Sequence, residues 1–255
     1  MRIAVAGATG RVGRHVVDVL RESGHEVVPM SRATGVDVVT GQGLAEALAG
    51  VECIIDATAG PADKEGAVAF FTAAARNMQQ AGERAGVRLA VVVSIIGIDM
   101  VTTGHPGAKL DHERTWLAGP IPVRILRAAP FHELVSQMME WGRQGDVVYL
   151  PKMRMQPVAP RNVAEALADL ATAADKGPAS GSVVEIAGPR AENLVDLGAM
   201  LAAKRGDPVK VEGVSDPANP DTALYESDEL LAGPDAIIAG PTFAEWLEMN
   251  SAQLP

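Results

Sequence analysis

The sequence predicts an α/β fold, a doubly wound parallel sheet with a small C-terminal substrate cap. Three observations carry this. Short β-rich runs alternate with longer helical stretches through most of the chain, the spacing that crossover connections in a parallel sheet require. The runs are apolar almost throughout, as in "VECIIDATA" and "RLAVVVSIIG", so the sheet is expected to be covered on both faces. The first run leads into Gly7, Gly10 and Gly13 and then into a helix-like segment.

In order, 2–7 is a strand, 11–24 a helix ending at Gly24, 25–32 a second strand and 36–39 a short third. Segment 43–50 is a helix and 51–59 the fourth strand. A long helix covers about 64–86 and a fifth strand 88–97. A helix over about 108–118, a sixth strand at 121–129, a helix at 161–175 and a strand at 182–188 continue the pattern. The first strand is expected to be central among about seven. Two regions depart from the alternation: 130–158, rich in Met and aromatics, and the tail from about 189, with a helix, a strand near 208–214 and a last helix near 242–250. Neither is long enough for a separate domain. They are expected to cap the carboxyl edge of one domain spanning 1–255, the cap being formed by about 130–157 and 189–255, where ligands of open α/β folds bind.

A chain of 255 residues, 47% hydrophobic and 21% charged, can bury a full core. No window approaches the roughly 20 apolar residues of a membrane span, and no basic segment with an apolar run and cleavage site opens the chain. A soluble cytoplasmic protein, monomer or homodimer, is expected. A net charge of −10 with no basic run argues against nucleic acid as a partner. Cys53 is the lone cysteine, in an apolar strand setting, so neither a disulfide nor a cysteine metal cage is available. His15, His25, His105, His112 and His132 show no metal-ligand pairing, and no G-x-S-x-G elbow for acyl transfer is present. No metal is expected.

The glycines carry the chemistry. Glycine permits a tight turn after a strand, lets the backbone approach a pyrophosphate, and lets the following helix pack close. The helix then aims unpaired N–H groups and its positive dipole end at the phosphates. The turn follows a strand and opens a β-α-β pattern, the context that makes the motif meaningful. Gly7, Thr9, Gly10, Arg11, Val12 and Gly13 are therefore candidate dinucleotide contacts. At the end of the second strand an acid commonly binds the ribose of NAD, whereas an Arg suits the 2′-phosphate of NADP. This chain has "PMSRATG". Ser31 and Arg32 are the candidate phosphate holders, with Arg11 a second cation, so NADP(H) is favoured over NAD(H).

The spacing G-x-x-G-x-x-G, written "GATGRVG" here, resembles the short-chain dehydrogenase/reductase superfamily in its atypical, NmrA-like branch, a Rossmann-type fold. The resemblance also runs through "VDVVTGQGLAEALAGVECIIDATAG", "VVVSIIGID", "ILRAAPFHE" and "AGPTFAEWL". It implies Asp37 and Val38 beside the adenine, and Ala57 and Thr58 beside the nicotinamide ribose. It also implies a Ser at the end of the fifth strand, then a proton-donating Tyr four residues before a Lys that holds the ribose. Lys109 is present, but the position four before it is His105, and the usual serine position is Ile96, leaving Ser94 as the nearest hydroxyl. The candidates for proton supply are His105, Ser94, His132 after the sixth strand, and water. Histidine is a capable acid near neutral pH, yet Pro106 and Gly107 place His105 at a helix entrance, where proximity to Lys109 is not assured. The sequence thus points to an NADPH-dependent oxidoreductase of a small organic carbonyl or natural-product-like substrate. The rival is a non-redox member of the fold: a cyclase, dehydratase, isomerase or NADP-sensing regulator.

Asp111 and Glu113, with Lys109 and Arg114, read as the solvated face of their helix. Met138, Met139, Trp141, Met153 and Met155 read either as the lining of a pocket for a bulky ligand or as core, since Met adapts to irregular apolar shapes.

Overall fold

A computed structural model describes residues 1–61, 63–101, 105–173 and 179–250, the side chains of Lys64, His105 and Pro106 excepted. Along the chain come β1 (Arg2–Ala6), α1 (Gly13–Glu22), β2 (Glu26–Met30), α2 (Leu44–Ala47), β3 (Cys53–Asp56), α3 (Lys64–Ala85) and β4 (Leu89–Ile95). Then follow α4 (His105–Leu117), β5 (Val123–Ala128), α5 (Glu133–Gly142), β6 (Arg143–Gln144), β7 (Val147–Pro151) and β8 (Arg154–Met155). The last are α6 (Pro160–Thr172), β9 (Val183–Ala187), β10 (Glu192–Asn193), α7 (Leu194–Arg205), β11 (Lys210–Val214), α8 (Thr222–Glu226), β12 (Ile237–Ile238) and α9 (Phe243–Met249).

Seven strands form a parallel sheet in the order β12-β9-β5-β4-β3-β1-β2. The register sets Ala6 beside both Met30 and Asp56, and Asp56 beside Val92. The carboxyl ends of β1, β2 and β3 are therefore level. Alternate residues point to opposite faces: Ala4, Ala6, Ile54, Ala90, Val92, Val123 and Ile125 pack with Ala74, Ala75, Met78 and Trp116 in one buried cluster. The helices of that face are α2, α3 and α4, while α1 and α6 pack together on the other. Burial on both faces explains the unbroken apolar runs.

The chain divides into two compact units: Met1–Asp99, Gly104–Arg127 and Pro160–Val184 form the first, and Met100–Thr103, Ala128–Ala159 and Glu185–Pro255 the second. The second has its own core. There β7 pairs in parallel with β11 and antiparallel with β6, and Val135, Met139, Leu150, Met155, Leu197, Leu201, Phe243 and Leu247 are buried together. Met138 and Met153 pack against this core, whereas Trp141 is 69% exposed. Four of the five residues read as pocket or core are thus core.

One expected strand is missing. Segment 36–39 is a turn, because Asp37 Oδ1 accepts hydrogen bonds from the backbone N–H of Val39 (2.8 Å) and Thr40 (3.3 Å). Asn77 Nδ2 of α3 donates to the carbonyls of Val38 (3.0 Å) and Val39 (2.7 Å). Local side-chain bonds supply what a sheet neighbour would have supplied. In consequence β2 is the sheet edge and β1 lies second from that edge, not at the centre. Among the described residues no helix is long and apolar enough to cross a membrane.

Candidate nucleotide site and its buried support

Past the end of β1 the chain turns sharply. Gly7 has φ +73°, which side chains disfavour, and its N–H donates to the Met30 carbonyl at 3.1 Å. A Cβ on Gly7 would lie 2.5 Å from the Ala57 oxygen, and one on Gly13 would lie 2.1 Å from the Gly7 oxygen. The turn is therefore closed against β3 on one side and against the first turn of α1 on the other. Gly10 N–H donates back to the Gly7 carbonyl at 2.8 Å. Val12, the residue before α1, supplies no side-chain cap, so the first N–H groups of the helix are not satisfied by a side chain, as an anion site needs. Thr9 and Arg11 are exposed at this turn and Val12 is buried.

Beside it, Ser31 caps a short helical turn over Arg32–Thr34, where Ser31 N–H donates to Thr34 Oγ1 at 2.9 Å. Arg32 is exposed, and among the described residues no carboxylate pairs with it or with Arg11. Asp37 spends its carboxylate on the turn that shapes the loop, and Val38 packs against the core. Ala57 continues β3 by donating its N–H to the Ala6 carbonyl at 3.1 Å.

Behind Ala57 and Thr58 lies a buried polar network. Asp56 is 0% exposed. Its Oδ1 accepts from the backbone N–H (3.0 Å) and the hydroxyl (2.7 Å) of Thr58. Its Oδ2 takes the His112 Nε2 proton at 2.9 Å and the Trp116 Nε1 proton at 2.8 Å. Lys109 Nζ donates to the Val93 carbonyl at 2.9 Å and to His112 Nδ1 at 3.2 Å, and sits 4.5 Å from the centroid of the Phe71 ring. His112, fully buried, packs against the same ring with centroids 4.6 Å apart and the planes tilted by 32°.

The charge states follow. Burial alone would raise the Asp56 carboxyl, but the His112 ring, the Lys109 ammonium and the Thr58 hydroxyl outweigh it and hold it well below the usual carboxylate range. Burial, then Lys109, lowers His112 against the pull of Asp56. Burial lowers Lys109 to about 8, with Asp56 and Glu113 opposing. At neutral pH this is a carboxylate, a neutral imidazole and an ammonium. Lys109 can only donate to Nδ1, so the imidazole proton is on Nε2 and points at Asp56. Trp116 Nε1, although 3.1 Å from that nitrogen, then donates to Asp56 rather than to the ring. The buried carboxylate is satisfied by four donors, as burial of a charge requires.

Lys109, His112 and Trp116 fall on one face of α4, at helical spacings of three and four. That helix is consequently not the solvated face expected. Glu113 is 3% exposed and is held in a two-pronged pair by Arg127 Nε (3.0 Å) and Nη2 (2.9 Å). Only Asp111 and Arg114 pair in solvent. Neither Asp56 nor His112 was expected as a site residue; the signals were a lone acid ending an otherwise apolar strand and a polar triplet spaced along one helix face.

Of the remaining candidates, Ser94 is 3% exposed on β4, and its Oγ has no hydrogen-bond partner among the described residues. His105 begins α4, and its side chain lies outside the described residues. His132 is 0% exposed in the second unit, 5.2 Å from the Trp246 ring and 5.6 Å from that of Phe243. Among the described residues neither ring nitrogen has a partner in bonding geometry, although the Pro241 backbone favours the protonated form. Burial dominates and lowers its pKa to about 4. A groove of about 570 Å³ between α3 and α4, lined by Thr72, Arg76, Asp111 and Thr115 among others, contains no residue of the glycine turn or the network. Chemistry, not volume, locates the site.

Residues 7–119, the stretch that holds both the turn and the network, match the NAD(P)H-binding family. That segment is similar to NAD(P)H-binding proteins, and it is carried on a Rossmann-like α/β fold. No curated protein sequence matches it. Among solved structures it is similar to the Escherichia coli NADPH-dependent quinone oxidoreductase QOR2 complexed with NADPH, at 21% identity and TM-score 0.70, covering 97% of this chain and 99% of that one. It is similar to the Citrobacter sp. triphenylmethane reductase complexed with NADP(H), at 18% identity and TM-score 0.72 over 98% and 99%. MoeE5 in complex with UDP-glucuronic acid and NAD is alike at 19% identity and TM-score 0.77 over 99% and 98%. At these identities the likeness is one of fold.

Proposed function

We propose that the protein is an NADPH-dependent oxidoreductase acting on a small organic, carbonyl-containing or natural-product-like substrate, as a soluble cytoplasmic monomer or homodimer. The observation that carries the reading is the turn at the level ends of β1, β2 and β3. Gly7 and Gly13 admit no side chain, the N-terminus of α1 has no side-chain cap, and Ser31 and Arg32, not an acid, follow β2. Gly7, Thr9, Gly10, Arg11, Val12 and Gly13 would hold the pyrophosphate, and Ser31 and Arg32 the 2′-phosphate. Asp37 and Val38 would flank the adenine, and Ala57, Thr58 and Lys109 the nicotinamide ribose. Segments 130–157 and 189–255 would form the substrate cap.

Bound NADPH supplies a hydride; the chain must supply position and a proton. His132, whose pKa burial lowers to about 4, is not an imidazolium at neutral pH and has no acidic proton to give, so His105, or a water held by Ser94, is the better donor. One observation favours the rival reading of a non-redox or nucleotide-sensing protein. The Lys109 ammonium is already engaged by Val93, His112 and the Phe71 face, and no tyrosine stands four residues before it.

The deciding experiment follows oxidation of NADPH, deuterated at the transferred position, against a panel of quinones, a triphenylmethane dye, simple ketones and a UDP-sugar. Deuterium appearing in any reduced product supports the oxidoreductase. Tight NADPH binding without transfer across the panel favours the rival. For the proton, a pH–rate limb lost in His105→Ala with a roughly 10²–10⁴-fold drop makes His105 the acid; an unchanged profile gives the role to water.

A further inference from the structure

We propose that Asp56 is a positioning residue that fixes the Thr58 hydroxyl as a hydrogen-bond acceptor, so that the ligand group seated against Thr58 must be a donor from the nicotinamide half of the dinucleotide. The proposal rests on the nucleotide reading above. It begins at the far end of the network. An ammonium can only donate, so Lys109 fixes His112 as the tautomer with its proton on Nε2. That proton, with the Trp116 N–H, occupies Oδ2 of Asp56. Oδ1 is occupied by the two Thr58 donors. A carboxylate with all four bonds directed cannot rotate and accepts only. The single Thr58 hydroxyl hydrogen therefore points inward at 2.7 Å, leaving the oxygen lone pairs for a ligand.

Thr58 also adjoins the turn that would hold that ligand, with 6% of its surface exposed. A Cβ on Gly7 would lie 3.0 Å from Thr58 N, so Thr58 abuts the glycine turn, two residues beyond the level end of β3. A nicotinamide nucleotide offers two donors within this chemistry: the carboxamide N–H groups and the ribose hydroxyls. Both suit an acceptor-only Thr58.

The test is calorimetric titration of NADP⁺, and of its 3-acetylpyridine analogue, in which a methyl ketone replaces the carboxamide, onto wild type, Thr58→Val, Thr58→Ser and Asp56→Asn. The isosteric Thr58→Val should weaken NADP⁺ by about 3- to 10-fold, the loss of one hydrogen bond, and Thr58→Ser should restore it. If the carboxamide is the donor, Thr58→Val leaves the analogue unaffected; if a ribose hydroxyl is, both nucleotides lose equally. In Asp56→Asn the amide oxygen stays toward His112 and Trp116, so the –NH2 faces Thr58, where it opposes the backbone N–H and turns the hydroxyl hydrogen outward. The loss should match that of Thr58→Val and should not add to it in the double variant, a coupling that general loosening of the fold would not produce. Unchanged NADP⁺ binding by Thr58→Val, or additive losses, overturns the proposal while leaving the nucleotide reading intact. Wild type that binds no nicotinamide nucleotide overturns both. Should Asp56→Asn fail to fold, the valine and serine variants decide.

Discussion

The glycine turn and the Asp56–His112–Lys109 network meet at Ala57 and Thr58 but are built in opposite ways. The turn is backbone: its shape comes from what cannot be added, since a Cβ on Gly13 would sit 2.1 Å from the Gly7 oxygen. The network is side chain: its shape comes from what cannot be removed, since each of its charged members is almost wholly out of water. A site of the first kind offers fixed N–H groups to any anion of the right size. A site of the second kind sets the direction of hydrogen bonds and so can tell a donor from an acceptor.

The contrast is broken most forcefully at His112. His112→Ala should leave the Asp56 carboxylate and the Lys109 ammonium without their shared partner and cost about 3–5 kcal/mol, as for a severed buried pair. Chemical denaturation measures it, and a loss under about 1 kcal/mol would mean that the network is not coupled. A smaller effect separates the protonation states. Lys109 is lowered by burial to about 8 in the fold, from the 10.5 of a free lysine. Between these values the unfolded chain binds a proton that the folded chain does not, so stability rises with pH across the window. Below about 8 the penalty is constant. Lys109→Met should remove that rise relative to wild type; parallel stability curves from pH 8 to 10.5 would show that Lys109 does not titrate there.

The two sites were unequally legible in the sequence, and the reason is physical. A turn is local, so the order strand, Gly7, Gly10, Gly13, helix states both its geometry and its chemistry in a dozen residues. The parallel sheet was legible for the same reason, through apolar runs at regular spacing. The network joins Asp56 to His112 and Trp116 across long stretches of chain, and only packing of α4 on the sheet brings them together. Read singly, Lys109 and Glu113 look like residues of a solvated face. The third strand failed differently: "VDVV" has β-forming composition, but the Asp37 side chain closes a turn on itself, a competition that composition does not register. His132 stands as a further contrast. As buried as His112, it packs against aromatic rings and, among the described residues, its ring nitrogens make no hydrogen bond of good geometry, so burial of a histidine says nothing about its role until its partners are known.

The turn itself is sharpened by nucleotide choice, and there the account is tested most directly. Calorimetric titration of NADPH and NADH onto wild type and Arg32→Ala reads the two claims together: that the glycine turn binds a nicotinamide nucleotide, and that Ser31 and Arg32 hold its 2′-phosphate. Wild type should bind NADPH more tightly than NADH, and Arg32→Ala should weaken NADPH by roughly 1–3 kcal/mol, the worth of a charged hydrogen bond, while leaving NADH nearly unchanged. Equal losses for both nucleotides, or no binding of either by wild type, would contradict the account.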